Sequence, residues 1–179
     1  YVYFNELAGG VKNAWGNYEL DYYYHSTREA SEWVIENAQT SDMQTDEKIR
    51  VATWHVPSVQ NYFRHDTNRF KVVFSRWYQK GNVDWDYAIF TLTGISPEYM
   101  KSDAFPPKNT VYTVEVDNKP ICLVLKRTSK DDYKASLLKE KGKADSAVMY
   151  YNMALNDNPF NETALLNLGE IYLHKARPD

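Results

Sequence analysis

Two pairs of carboxylates stand two residues apart, Glu19 with Asp21 and Asp84 with Asp86. On an extended segment that spacing puts both side chains of a pair on one face, where they could divide general acid and base work. With 24 acidic residues in the chain, such pairs also arise as ordinary surface charge. His25, His55, His65 and His174 are scattered, with no HxH or HxxxH spacing to hold a metal. No serine lies in a GxSxG elbow. The Gly9-Gly10 pair of LAGGVKNAWG fits neither GxGxxG nor GxxxxGK[ST], and no helix with a free N-terminus is expected close behind it. A turn that needs positive φ accounts for both glycines without a phosphate. Cys122 is the single cysteine, which excludes an internal disulfide and any multi-cysteine metal site. Within the apolar run ICLVLK it reads as a buried, inert thiol. Motif chemistry thus names no catalytic residue, no metal site and no cofactor.

The opening stretch offers binding chemistry instead. Eight of the first 24 residues are aromatic, interleaved with asparagines and acids. Asn5, Trp15, Tyr18, Glu19, Asp21 and Tyr22 form a candidate groove for a ligand or acceptor. Aromatic faces stack on sugar rings while neighbouring polar groups bond the hydroxyls. Tyrosine and tryptophan also suit a bilayer surface, and some of these rings must simply be core. The segment from Gly9 to Ser26 is expected to line a concavity at one edge of a sheet.

The elements that must position these residues follow from periodicity. Ser26-Thr27-Arg28-Glu29 reads as a capping box, and Ala30, Trp33, Val34 and Ala38 share one face, predicting a helix over 26–38. Residues 39–47 read as a solvated loop. Strands are expected over 49–54, 70–75 and 86–92, and YVYFN at 1–5 reads as another. A short helix is expected over 58–65, and a second opens at Ser96-Pro97 and runs to Lys101. Two further strands, 111–116 and 121–126, flank the turn Asp117-Asn118-Lys119-Pro120. Strands alternating with helices predict an α/β domain over 1–127, with three layers around a mostly parallel sheet that ends in an antiparallel hairpin. Net charge is −3, from 21 basic and 24 acidic residues, so neither composition nor clustering suits a nucleic-acid partner. The longest apolar runs are far shorter than the roughly 20 residues of a spanning helix.

Residues 128–179 carry helix-forming residues and no strand signal. Within ADSAVMYYNMALNDNP and ETALLNLGEIY, the chain resembles the tetratricopeptide repeat, or TPR, a helix–turn–helix unit. Ala147, Tyr151, Ala154 and Pro159 match the second helix of one unit; Leu165, Leu168, Gly169 and Tyr172 match the first helix of the next. Ala147, Ala154 and Gly169 are expected to let helices approach, with Tyr151 and Tyr172 filling the gaps. Asp131 and Lys134 depart from the pattern, whereas Leu138 and Gly142 fit it. The resemblance implies about one and a half repeats, a protein partner held by these helices, and continuation of the parent chain beyond Asp179.

Asn5, Gly9, Gly10, Gly16, Tyr18, Glu19, Asp21, Tyr22 and Ser26 stand, in order, in YFNELAGGVKNAWGNYELDYYYHSTREASEWV. This stretch resembles the region after the last membrane span of bacterial polytopic GT-C type glycosyltransferases, relatives of the dolichyl-phosphate-mannose protein mannosyltransferases. DWDYAIF and PPKNTVYTVEVDNKP extend the likeness over about residues 1–127. The resemblance implies a soluble region on the extracytoplasmic (periplasmic) side of a membrane-embedded parent, whose catalytic acid lies on a loop among absent helices. The chain itself would then be a non-catalytic accessory and interaction module, with a glycan or acceptor peptide as possible ligand. The alternative is a free-standing carbohydrate-active enzyme or sugar-binding protein that uses Glu19 and Asp21.

Overall fold

The computed structural model describes residues 5–39 and 48–176. The strand expected over 1–5 and the loop over 39–47 lie outside these residues, apart from Asn5, Gln39 and their links to the chain. The described residues form two compact units. The first is α/β and holds residues up to Trp77 together with Trp85–Arg127; the second is helical and holds Tyr78–Asp84 and the chain from Thr128 on. The boundary at 127 matches the change in sequence character. Tyr78–Asp84 is a correction, because the sequence reading assigned that stretch to the α/β region.

The sheet of the first unit has five strands: β1 (Ile49–Thr53), β2 (Phe70–Phe74), β3 (Tyr87–Thr91), β4 (Thr110–Val116) and β5 (Lys119–Lys126). Their order is β2-β1-β3-β5-β4, with β1 parallel to both β2 and β3, and β5 antiparallel to β3 and β4. Each forms where β-branched and aromatic residues run together, as a pleated and largely buried surface requires. All five residues of β3 are buried, as befits the central strand. The hairpin is tighter than the sequence suggests. Val116 pairs with Lys119, and Asp117 and Asn118 both take positive φ, so the turn has two residues while Lys119 and Pro120 belong to β5.

Short helices α1 (Gly10–Ala14), α3 (Val56–Phe63) and α4 (Pro97–Met100) accompany the longer α2 (Ser26–Asn37). α2 crosses β3, β4 and β5, and α3 lies against β2 and α2. Ala30 and Val34 of α2 are wholly buried with Ile49, Val51, Ile89, Cys122 and Val124. On the alternate face of the strands Ala52, Ala88, Phe90, Leu123 and Leu125 are buried, and Trp77 meets Phe90 edge-on at 5.4 Å. α1 corrects the expectation of no helix behind the glycine pair; five residues are too few for a periodic signal. Gly9 takes φ +91 as the pivot between a 3-10 turn (Glu6–Ala8) and α1, and a Cβ there would meet the Asn13 side chain.

The second unit contains α5 (Asp131–Glu140), α6 (Ala144–Asp157) and α7 (Glu162–Ala176). Ala135, Ala147, Tyr151, Ala154, Ala164, Leu168 and Ile171 form its core. The Tyr151 hydroxyl, wholly inside, lies 3.1 Å from Ser136 Oγ, which donates to Asn82. The segment 78–84 is bound in by polar contacts: Gly81 N–H donates to Thr163, and Lys130 pairs with Asp84 at 2.7 Å. No hydrophobic period could reveal that attachment. Two sequence expectations need correction. A Cβ on Gly169 would meet open space, so this glycine mediates no close approach, and Tyr172 is exposed rather than gap-filling. Leu165 is likewise about half exposed, and Pro159 lies exposed in the turn after α6. Asp131 and Lys134 have local roles instead of core ones: Ser129 Oγ and Asp131 bond each other at the start of α5, and Lys134 lies over the Tyr150 ring.

Burial pushes the Cys122 thiol up to about 12, and its side chain is fully enclosed in the sheet. Thiol reagents act on thiolate. The native protein at pH 8 is therefore expected to leave Cys122 unmodified by an aromatic disulfide reagent, with one equivalent reacting after denaturation. Rapid stoichiometric labelling of the native chain would contradict this packing.

Candidate functional site

The C-terminal ends of β1 and β3 meet at the point where connections leave in opposite directions. The chain goes from β1 out to β2, then returns across β1 to β3. Such a divergence leaves a crevice at the carboxyl ends of the strands, where open α/β sheets bind ligands. A concavity of about 260 Å³ lies to the other side of β3, where its end meets the start of β5, between the segment Gly16–Asp21 and residues Thr91–Ile95, with Pro97, Met100 and Ile121 completing it.

One carboxylate holds the near wall in place. Asp21 is buried, and its two oxygens accept from the His25 and Ser26 backbone N–H groups at 2.8 and 3.2 Å and from Ser26 Oγ at 2.5 Å. These are the free donors at the start of α2, and an acid there also meets the positive end of the helix dipole. This corrects the capping box: Ser26 donates its hydroxyl to Asp21, while Glu29 accepts from Tyr112 Oη at 2.6 Å. Thr27 Oγ1 donates to the Tyr24 carbonyl and tightens the same turn.

With Asp21 thus engaged, the two carboxylates of the first pair do different things. Glu19 is exposed and accepts from Thr93 Oγ1 at 2.7 Å, bridging the two walls of the concavity. The second pair also divides: Asp86 accepts from Arg50 N–H in the α/β unit, and Asp84 pairs with Lys130 in the helical one. Neither pair is arranged as two carboxylates facing one reacting bond.

Of the candidate groove residues, Tyr18, Glu19 and Asp21 line the concavity. Asn5 caps the first turn through Leu7 N–H. Trp15 is half-buried, donating from Nε1 to the Pro120 carbonyl at 2.8 Å, with Phe105 at 5.8 Å and Lys119 over its ring. Tyr22 is exposed and packs edge-on against Tyr23. Hence Asn5, Trp15 and Tyr22 do not line the cavity: Trp15 is held to Pro120 and Tyr22 lies against Tyr23. Gly16 itself takes φ +73.

Sequence reasoning missed the strand crest. His55, which follows β1 and precedes α3, lies flat against Tyr24 with ring centroids 3.5 Å apart. Trp54 stacks beside it at 6.0 Å, and the Arg76 guanidinium sits over Trp54. Gly94 on the cavity wall backs directly onto this layer, for a Cβ there would lie 2.6 Å from the Trp54 ring. Desolvation pushes the His55 imidazole below its ordinary value, opposed by the charges of Glu19 and Asp21. Nothing in the spacing of four histidines distinguishes His55; only the crossover places it here. Among the described residues no group of three or more histidines, cysteines or acids is placed to hold a metal, and no helix is long and apolar enough to cross a membrane.

The two acids are separable by stability. Asp21→Asn breaks a charge-assisted cap in a buried setting, so thermal unfolding should show a loss of about 2 kcal/mol. Glu19→Gln, at an exposed site, should cost less than about 0.5 kcal/mol. Equal losses would contradict the division of roles.

The chain matches no protein-family model, no curated protein and no solved structure.

Proposed function

We propose that the chain is a non-catalytic accessory module of a membrane-embedded glycosyltransferase on the extracytoplasmic face. Its α/β unit presents a groove to a glycan or acceptor peptide, and its TPR-like helices contact a protein partner. The observation that carries this reading is the concavity at the ends of β3 and β5, walled by Tyr18, Glu19 and Asp21 and bridged by the Glu19–Thr93 hydrogen bond. A carboxylate tied at one oxygen and flanked by an aromatic ring and an apolar floor suits a ligand that is polar at its edge and apolar on its faces. A sugar ring has that character.

The enzyme alternative needs Glu19 and Asp21 to share one reacting bond, and Asp21 spends its oxygens on three donors at the start of α2. The GT-C likeness supplies the membrane parent and the side of the membrane; the resemblance of residues 1–127 is its support. The three-layer description of the α/β region belongs to the same reading. For the helical unit, support comes from Ala147, Tyr151, Ala154 and Leu168 meeting in one core, while Leu165, Tyr172 and Leu173 stay about half exposed on α7. A repeat that presents such residues to a neighbouring helix or partner is how stacked helical pairs bind.

The test is calorimetric titration of the whole chain with methyl pyranosides and a serine/threonine acceptor peptide, beside turnover assays with polyprenyl-phosphate sugars and aryl glycosides. Binding without turnover is expected. Tyr18→Ala should weaken it about fivefold, the value of one aromatic contact, without moving the melting temperature. Trp15→Ala should lower the melting temperature, since that ring serves the fold. Turnover abolished by Glu19→Gln would overturn the reading.

A further inference from the structure

Along α7, Leu165, Leu166, Gly169, Tyr172, Leu173 and Ala176 are all exposed, each large side chain by half or more. At 3.6 residues per turn they fall in one stripe about 120° wide that holds no charged side chain from Leu165 to Ala176. Ala164, Leu168 and Ile171 point the other way, into the core of the helical unit. The charges on the two flanks of the stripe are already matched within the chain, for Glu170 pairs with Lys139 and Lys175 with Asp145. The result is an apolar helix face bordered by neutralised charge, the kind of surface that marks a protein contact.

The spacing within the stripe says which protein fits it. Leu165 and Leu166 stand four and three residues before Gly169; Tyr172 and Leu173 stand three and four after it. Such a face is self-complementary under a two-fold axis through Gly169, because antiparallel pairing sets Leu165 at the level of Leu173 of a copy and Leu166 at the level of its Tyr172. By helical angle, Leu166 and Leu173 lean to one side of the seam and Leu165 and Tyr172 to the other, so each facing pair interleaves instead of colliding. At the axis glycine meets glycine. A Cβ on Gly169 would meet open space within the chain, although glycine weakens a helix interior. A second backbone brought close at that point gives the glycine its use.

We propose that α7 docks antiparallel on α7 of a second copy of this chain, with the two-fold axis at Gly169. This rests on the helical unit being a protein-contacting surface, and it names the partner. At the ends of the seam Ala176 comes level with Glu162, whose charge Lys80 offsets at 3.5 Å, so the pairing brings no unmatched charges together. Two such faces cover on the order of 1,000 Å² between them, at the low end of specific interfaces. An area that small sets a reversible dimer, with a dissociation constant of about 10–100 µM.

The experiment is sedimentation velocity of the whole chain from about 1 µM to 1 mM, a range that brackets that constant. The expected result is a concentration-dependent passage from monomer to dimer. Leu173→Glu, which puts a charge in the seam, should weaken association at least about 30-fold. Gly169→Leu is the sharper variant, because its side chain enters open space in the monomer and blocks the approach of the copy. It should keep the melting temperature and lose the dimer. Register is read by oxidation: Leu165→Cys mixed with Leu173→Cys should cross-link, and neither alone should, with the enclosed Cys122 silent. A dimer that persists in Gly169→Leu and Leu173→Glu would overturn the α7 seat. A monomer throughout that still binds an anilinonaphthalene sulfonate dye, with binding lost in Leu173→Glu, would overturn the second copy and leave the face to a different protein. A monomer that binds no dye would overturn the protein-contact reading as well.

Discussion

The Asp21 carboxylate is the constraint on which the rest of the α/β unit's crest depends. Three donors converge on its two oxygens, and all three belong to the first residues of α2 or the one before it. A helix start left without partners in a buried position would be costly. Asp21 removes that cost from five residues upstream, and in doing so closes the loop 21–26 tightly. Everything between Gly16 and Tyr24 is then fixed at both ends: by the α1 turn on one side, through Tyr18 N–H to the Ala14 carbonyl, and by the helix cap on the other.

That fixed loop meets the sheet at the ends of β1 and β3. Glu19 reaches over to Thr93, and Tyr24 lies on His55, so one segment touches both strands. The polar and the aromatic contacts do different work. The Glu19 bridge is exposed and contributes little to stability. The layer of Arg76, Trp54, His55 and Tyr24 is a continuous stack of flat groups, with Gly94 small enough to let Trp54 close behind the wall. Side chains from β1, the end of β2 and the loop after β3 build one surface because the strands are parallel and in register there.

Much of the scaffold was legible because its signals are local. The strands from Ile49, Phe70, Tyr87, Thr110 and Lys119 announce themselves by β-branched runs, and α2 by Ala30 and Val34 on one face. Ser96 caps α4 through Tyr99 N–H as its position before proline suggests. What escaped is long-range. The α2 cap comes from Asp21, outside the four-residue window of a capping box. His55 acquires its surroundings from Tyr24, 31 positions away in the chain, through the stack alone. The stretch 78–84 joins the helical unit through Gly81, Asn82 and Asp84, which carry no hydrophobic period. Gly169 misled for the opposite reason: a small residue in a familiar spacing implies a close neighbour, and none stands there among the described residues. Of the aromatic opening stretch, Gly16–Asp21 line the concavity, while Trp15 and Tyr22 are engaged elsewhere, with Pro120 and Tyr23, by contacts that composition does not reveal.

Amide hydrogen exchange of the wild type and Asp21→Asn measures the central constraint directly. The account predicts strong protection of the His25 and Ser26 amides in the wild type. In the variant, protection should be lost at these two and spread to the 17–24 segment, while β1, β3 and β5 exchange as before. Fast exchange of His25 and Ser26 in the wild type, or a variant whose 17–24 segment is as protected as the native one, would contradict it.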